Sequence, residues 1–267
     1  MSNIKDTADA IKGITEAIPV YEDMLQPATQ ELSKGLVTVA KTVNMVLAPL
    51  NGLVWGYERI AQYLEEGLSE KLKNTLKENI ITPDPSVAGP AIENLRFSGH
   101  NANLRDMFTN LLATAMDKNT SQNAHPAFVE VIKQLNSDEA KIVSLLNGKS
   151  PVPLIKIRLY DKGTSINSFS EPLRNFSLIP FEAKNDYPYL GPSYLENIER
   201  LGLVNISYDV YDIAPAAYDK ILSHSKVKEW ESTAINLDKR FEVNQGAMTR
   251  TSFGKNFFDS CVTKEIC

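Results

Sequence analysis

The apolar positions in the first part of the chain recur every three or four residues. Ile11, Ile14 and Ile18 form a first stripe that stops at Pro19. A second stripe runs through GLVTVAKTVNMVLAPLNGLVWGY, residues Gly35–Tyr57, at Leu36, Val39, Ala40, Val43, Val46, Leu47, Leu50, Leu53, Val54 and Tyr57. Thr38, Lys41, Asn44 and Asn51 fall mostly on the other side. A helix immersed in lipid is apolar all round, and a mid-span Lys or Asn costs it a few kcal/mol. Pro49, with Asn51-Gly52 just beyond, also interrupts the run. The pattern predicts a core or amphipathic helix, with conditional insertion of a hairpin into a membrane as the alternative. The residues expected to form this effector or assembly helix are Leu36, Val39, Lys41, Val43, Leu47, Leu50 and Trp55.

A charged amphipathic helix is expected over Glu58–Lys77. Pro83, Pro85, Gly89 and Pro90 then mark a connector near residues 79–90. Helical spacing resumes at Ile92–Phe97, with Pro90 in the first turn, and at Asn103–Asp117, through Leu104, Met107, Phe108, Leu111, Leu112 and Met116. A polar loop separates these from the apolar run Phe128–Leu135. Residues 1–136 are therefore expected to form an all-helical unit.

After residue 136 the period changes. SDEAKIVSLL opens with Ser137 as N-cap and acids in the first turn. VPLIKIRLYD alternates as a strand does, and residues 172–182 extend as a second. A helix over Pro192–Leu201 is closed by Gly202 and followed by a strand. RFEVNQGAMTR is expected to be a hairpin turning at Asn244-Gln245-Gly246, with a last helix from Thr251 or Ser252. Helix, strand, helix, hairpin and helix are the order of a winged helix, with a helical insert near residues 209–235. The expected fold class is α+β, predominantly α: a helical unit and then a winged-helix-like unit over residues 137–267. Its expected interaction surface is Tyr194, Glu196, Asn197, Arg200 and Arg250.

Charge argues against that surface reading duplex DNA. The chain carries a net charge of −5, and residues 137–267 hold 16 Lys and Arg against 17 Asp and Glu. Phosphate binding needs a concentrated basic surface, so protein contact is the expected use and nucleic-acid binding the alternative. His100, His125 and His224 lack metal-ligand spacing. There is no phosphate-binding loop, dinucleotide glycine pattern or nucleophile elbow. Neither an enzyme, a cofactor nor a metal is expected. Cys261 and Cys267 are read as reduced thiols, and the acidic start MSNIKDTADA as no secretory signal, so the expected location is the cytoplasm, with membrane association on activation as the alternative.

Four segments resemble the bacterial abortive-infection alpha family: VAKTVNMVLAPLNGLVWGYERI, the long run from ENIITPDPSVAGPAIENL through NLLATAMDKNTSQNAHPAFVEVIKQL, PSYLENIERLGLV and TSFGKNFFDSCV. The resemblance implies phage defence, in which an infected cell halts or dies before phage are released. It brings no catalytic motif. The expected function is a non-enzymatic effector or sensor acting through protein or membrane contacts, with a protein partner, a second copy or a phage-derived trigger as its partners. The alternative is a winged-helix regulator that binds nucleic acid.

Overall fold

The computed structural model describes residues 54–163, 168–209 and 213–262. Leu36, Val39, Lys41, Val43, Leu47 and Leu50 lie outside the described residues. Trp55 falls in the first turn of the first described helix, and its side chain also lies outside the description.

Helix α1 (Val54–Leu72) presents Ile60, Leu64, Leu68 and Leu72 to the interior at four-residue steps. α2 (Pro85–Ser98) and α3 (Ala102–Met116) follow, and then the short α4 (Ala127–Lys133) and α5 (Ser137–Leu146). α3 touches α1, α2, α4 and α5 and also the last helix, α10 (Ser252–Cys261). Phe108, Leu111, Leu112 and Met116 are accordingly shut off from solvent. Among the described residues no helix is long and apolar enough to cross a membrane.

Between α5 and α10 the chain forms one antiparallel sheet. Its strands are β1 (Val152–Asp161), β2 (Phe169–Phe176), β3 (Val204–Ser207) and β4 (Lys239–Arg250), in the order β2-β1-β4-β3. β1 and β4 pair along their whole length, from Val152↔Met248 to Asp161↔Lys239. α6 (Ile179–Glu182) and α7 (Gly191–Arg200) join β2 to β3, and α8 (Ala216–Leu222) and α9 (Ser225–Asn236) join β3 to β4. The fold is thus α+β and mostly helical. One hydrophobic cluster runs from Ile60 of α1 through α3, α5 and α7 to Phe258 of α10, passing residue 136 without a break. A second lies between the sheet and α8 and α9, around Ile155, Ile157, Phe176, Ile221 and Val227.

The two faces of β1 differ in kind. Ile155, Ile157 and Leu159 point into the second cluster. The alternate positions begin apolar, with Val152 and Leu154 under the helices, and continue as Lys156, Arg158 and Tyr160, which are half-buried. Among the described residues the sheet therefore extends past the helical layer, which leaves the far half of one face uncovered by a helix.

Four local expectations are corrected. α2 begins at Pro85, because Asp84 caps it by accepting the Ser86 amide at 2.8 Å and proline suits the first helical position. Pro90 thus lies inside the helix, where burial of Val87, Ala88, Ala91 and Ile92 offsets its missing donor. The cap of α5 is Asn136, in a reciprocal capping box with Glu139, and Ser137 follows it. The extended segment after β1 is β2, residues 169–176, and residues 179–182 are helical. β4 runs straight through Asn244-Gln245-Gly246, and it pairs with β1 on one side and with β3, across the inserted helices, on the other. Gly246 serves close approach here, since a Cβ there would lie 2.6 Å from the Ser207 carbonyl oxygen.

If α3 is the centre of the helical layer, Phe108→Ala lowers stability by about 3–5 kcal/mol in urea unfolding, from lost burial and the cavity left behind. Phe97→Ala, at an exposed position of α2, changes it by less than about 0.5 kcal/mol.

Candidate functional site

The anticipated interaction surface on α7 is largely engaged within the molecule. Tyr194 is buried, and its hydroxyl donates to Asp138 Oδ2 at 3.3 Å. Asn197 donates to Glu139 Oε1 at 2.9 Å and to the Gln134 carbonyl, while Arg200 bonds Gln134 Oε1 at 3.0 Å. Glu196 accepts from Asn175 Nδ2 at 3.1 Å. Arg250, away from the other four, donates to the Asn147 carbonyl and lies 5.8 Å over the Phe258 ring. The polar side of α7 is thus fastened to α5, to the turn before it and to the end of β2.

Just before α7, the segment Asp186–Leu190 presents a different surface. Of the eight large hydrophobic side chains exposed among the described residues, three fall in four consecutive positions: Tyr187 at 67%, Tyr189 at 61% and Leu190 at 52%. Single exposed apolar residues are ordinary; a run of them, two of them tyrosines, is the composition of a contact site.

This segment is held by a buried carboxylate. Asp138 Oδ1 accepts the Asp186 amide at 2.9 Å and Lys141 Nζ at 3.0 Å, and Oδ2 accepts the Tyr187 amide at 3.0 Å besides the Tyr194 hydroxyl. Lys141 also bonds Asp186 Oδ2 at 3.0 Å. Burial is the largest single influence on Asp138 and pushes its pKa up. The two amides and Lys141 together outweigh it and hold the carboxyl below its ordinary value. The hydrogen bond to Asp138 raises the pKa of Lys141. Behind the loop, Tyr189 packs against Phe181 and His224, with centroids 5.3 and 6.3 Å away.

Two histidines accept backbone amides at helix starts. His125 Nδ1 accepts the Ala127 amide at the start of α4, and His224 Nδ1 the Lys226 amide at the start of α9. Cys261 is a free thiol whose pKa is raised by burial, and Cys267 lies outside the described residues. No group of three potential metal ligands is brought together among the described residues. A cavity of about 300 Å³ lies between α1, α3 and α10, lined by Lys71, Thr75, Thr114, Asp117 and Asp259 among others. Thr75 donates to Asp117 Oδ2 and Thr114 to the Ser260 carbonyl, so part of its polar lining is already paired.

The family model for abortive infection alpha matches residues 56–261, spanning α1 from its third residue to the end of α10. The chain belongs to the abortive infection alpha family. No curated protein matches this family member. A solved structure, described as the uncharacterized protein from the hydrocarbon-degrading marine bacterium Alcanivorax borkumensis SK2, is 17% identical, with a TM-score of 0.35. The match covers 49% of this chain and 89% of that one, and at such a score it bears on neither fold nor function.

The periodic signal on which the sequence reading relied misses the tyrosine loop of this abortive infection alpha protein. The cue present in the sequence is DYPYLGP, with aromatic residues around a proline next to a helix start. Asp138, which holds the loop, reads in sequence as an ordinary first-turn acid.

Removing the anchor tests this arrangement. Asp138→Ala strands two amide donors, at about 1–3 kcal/mol for each left unsatisfied. Hydrogen exchange at the Asp186 and Tyr187 amides then accelerates more than exchange in α3. The pH dependence has a defined sign. The depressed Asp138 pKa contributes stability that is present above the unfolded value of about 3.9 and is lost as pH falls through the folded value. The raised Lys141 pKa contributes stability that is present below its unfolded value and is lost as pH rises through the folded one. Exchange at the two amides is therefore expected to depart from the ordinary pH law of an exposed amide at both extremes and to follow it near neutrality.

Proposed function

We propose that this chain is a cytoplasmic phage-defence effector or sensor with no chemistry of its own, which acts by presenting a rigid aromatic loop to a protein partner. Membership of the abortive infection alpha family supports the role in defence. The observation that carries the mode of action is the exposed Tyr187–Leu190 cluster tied to buried Asp138. Tyrosines give a large contact area with few rotatable bonds, and an anchored loop loses little entropy on docking. In this proposal, Gly35–Tyr57 is the effector or assembly element that follows recognition.

The order α5, β1, α7, β3, β4 and α10, with β4 between β1 and β3, supports the winged-helix-like reading of residues 137–267. The bonds of Asn197 and Arg200 to α5 and to the turn before it favour packing over base reading as the use of α7.

Tyr187→Ser combined with Tyr189→Ser is expected to leave the melting temperature within a few degrees of the parent, since both rings are mostly exposed. The same pair of changes is expected to abolish protection in a phage plaque assay. Full protection by the folded double variant sinks the loop reading. A partner recovered by crosslinking at position 187 during infection distinguishes a phage protein, a host protein and a second copy of this chain.

A further inference from the structure

The open half of the sheet face carries a second surface, far in character from the tyrosine loop. Lys156, Arg158 and Tyr160 stand at alternate positions of β1, about 6.6 Å apart. Each takes part in a cation–aromatic pair. Lys156 Nζ lies 4.0 Å from the Tyr208 ring centre, the Arg158 guanidinium 4.2 Å from that of Phe169, and the Arg240 guanidinium 4.3 Å from that of Tyr160. Tyr160 and Phe169 are themselves in tilted contact at 5.4 Å. Arg174 joins through Glu171, whose other oxygen accepts from Arg158 at 3.0 Å.

Two features separate this surface from ordinary sheet decoration. The first is access: Phe169 is 43% exposed, and the side chains of Arg174 and Arg240 are 62% and 59% exposed. The second is charge. The four cations Lys156, Arg158, Arg174 and Arg240 face the acids Glu171 and Glu242, with Asp209 close enough to act on Lys156. Glu196, which bonds Asn175 and acts on Tyr208, adds a further acid at the edge, so the cations outnumber only the two acids within the face. Burial lowers the Lys156 pKa most; Arg158 and Arg174 lower it further, while Glu171 and Asp209 raise it.

We infer that the open face of β2, β1 and β4 binds single-stranded nucleic acid. Cations spaced along a strand follow a phosphate backbone, and guanidinium planes and rings between them give bases a surface to stack on. The alternation of flat cations with aromatics, and Phe169 as the only large exposed hydrophobic on it among the described residues, favour a polynucleotide over an apolar protein surface. A duplex keeps its bases stacked inside and offers this platform only phosphates. The inference does not rest on the tyrosine loop, and the two surfaces fail separately.

The test is fluorescence anisotropy of the full chain with labelled 20-mers of oligo(U) RNA and oligo(dT), and a duplex DNA of the same length, at low and at physiological salt. The expected result is binding of a single strand at least tenfold tighter than the duplex and weakening as salt rises. The two single-stranded arms separate an RNA ligand from a DNA ligand, and preference for either supports the inference. Arg174→Ala with Arg240→Ala alters two mostly exposed side chains. The pair is expected to weaken binding by tenfold or more with an unchanged melting temperature, whereas Lys255→Ala, on exposed α10 surface, leaves binding as it was. Equal binding of duplex and single strand, equal binding of polyglutamate, or undiminished binding by the folded Arg174/Arg240 variant would overturn the inference.

Discussion

The packing of α10 onto α3 closes this fold. α3 is buried on nearly every side, and α10 supplies a side that no helix earlier in the described chain can cover. Phe257 and Phe258 complete the core, and Asn110 and Thr114 of α3 donate to the Cys261 and Ser260 carbonyls at the end of α10. Those carbonyls are among the last of a helix, which lack partners within it. The contact therefore buries apolar surface and satisfies orphan acceptors at once. It joins residues about 150 positions apart, with the whole sheet lying between them along the chain.

The same closure decides what the sheet can offer. Its near half lies against the helices through Val152, Leu154 and Met248, and its second face is covered by α8 and α9. What remains is the far half of one face, where the strand alternation places cations and rings. α5 and α7 meet through polar groups: Asp138, Glu139, Tyr194 and Asn197 form a bonded junction. A half-satisfied buried junction of this kind would be costly, whereas a satisfied one fixes geometry. Here it fixes the short turn that carries Tyr187 and Tyr189. α7, the helix expected to meet a partner, is bonded into the support for the loop beside it.

Much of the architecture was legible in local pattern. The stripe of α3, the alternation of β1, the glycine stop after α7 at Gly202, which has a positive φ of 77°, and the cap Thr251 before α10 are all signals contained within a few residues. The misread places are those where a distant partner sets the role of a residue. Gly246 reads as a turn until Ser207 and Tyr208 are seen against it. Pro90 reads as a start until the burial around it is known. Asp138 reads as a first-turn acid until two amides from 48 and 49 residues away are found on its oxygens.

The sequence by itself determined the helical and extended periods, the family and the absence of a globally basic surface, because each is a property of composition or of neighbours along the chain. Tertiary structure alone decided which polar residues face outward. Asn197 and Arg200 look like surface side chains in the sequence and turn out to be bonded to α5 and the turn preceding it, while Arg158 and Arg240 meet rings on other strands. The physical reason is that a polar side chain is placed by the donors and acceptors it meets. In this chain those partners lie on elements far apart in sequence, such as α5 and α7 or β1 and β4.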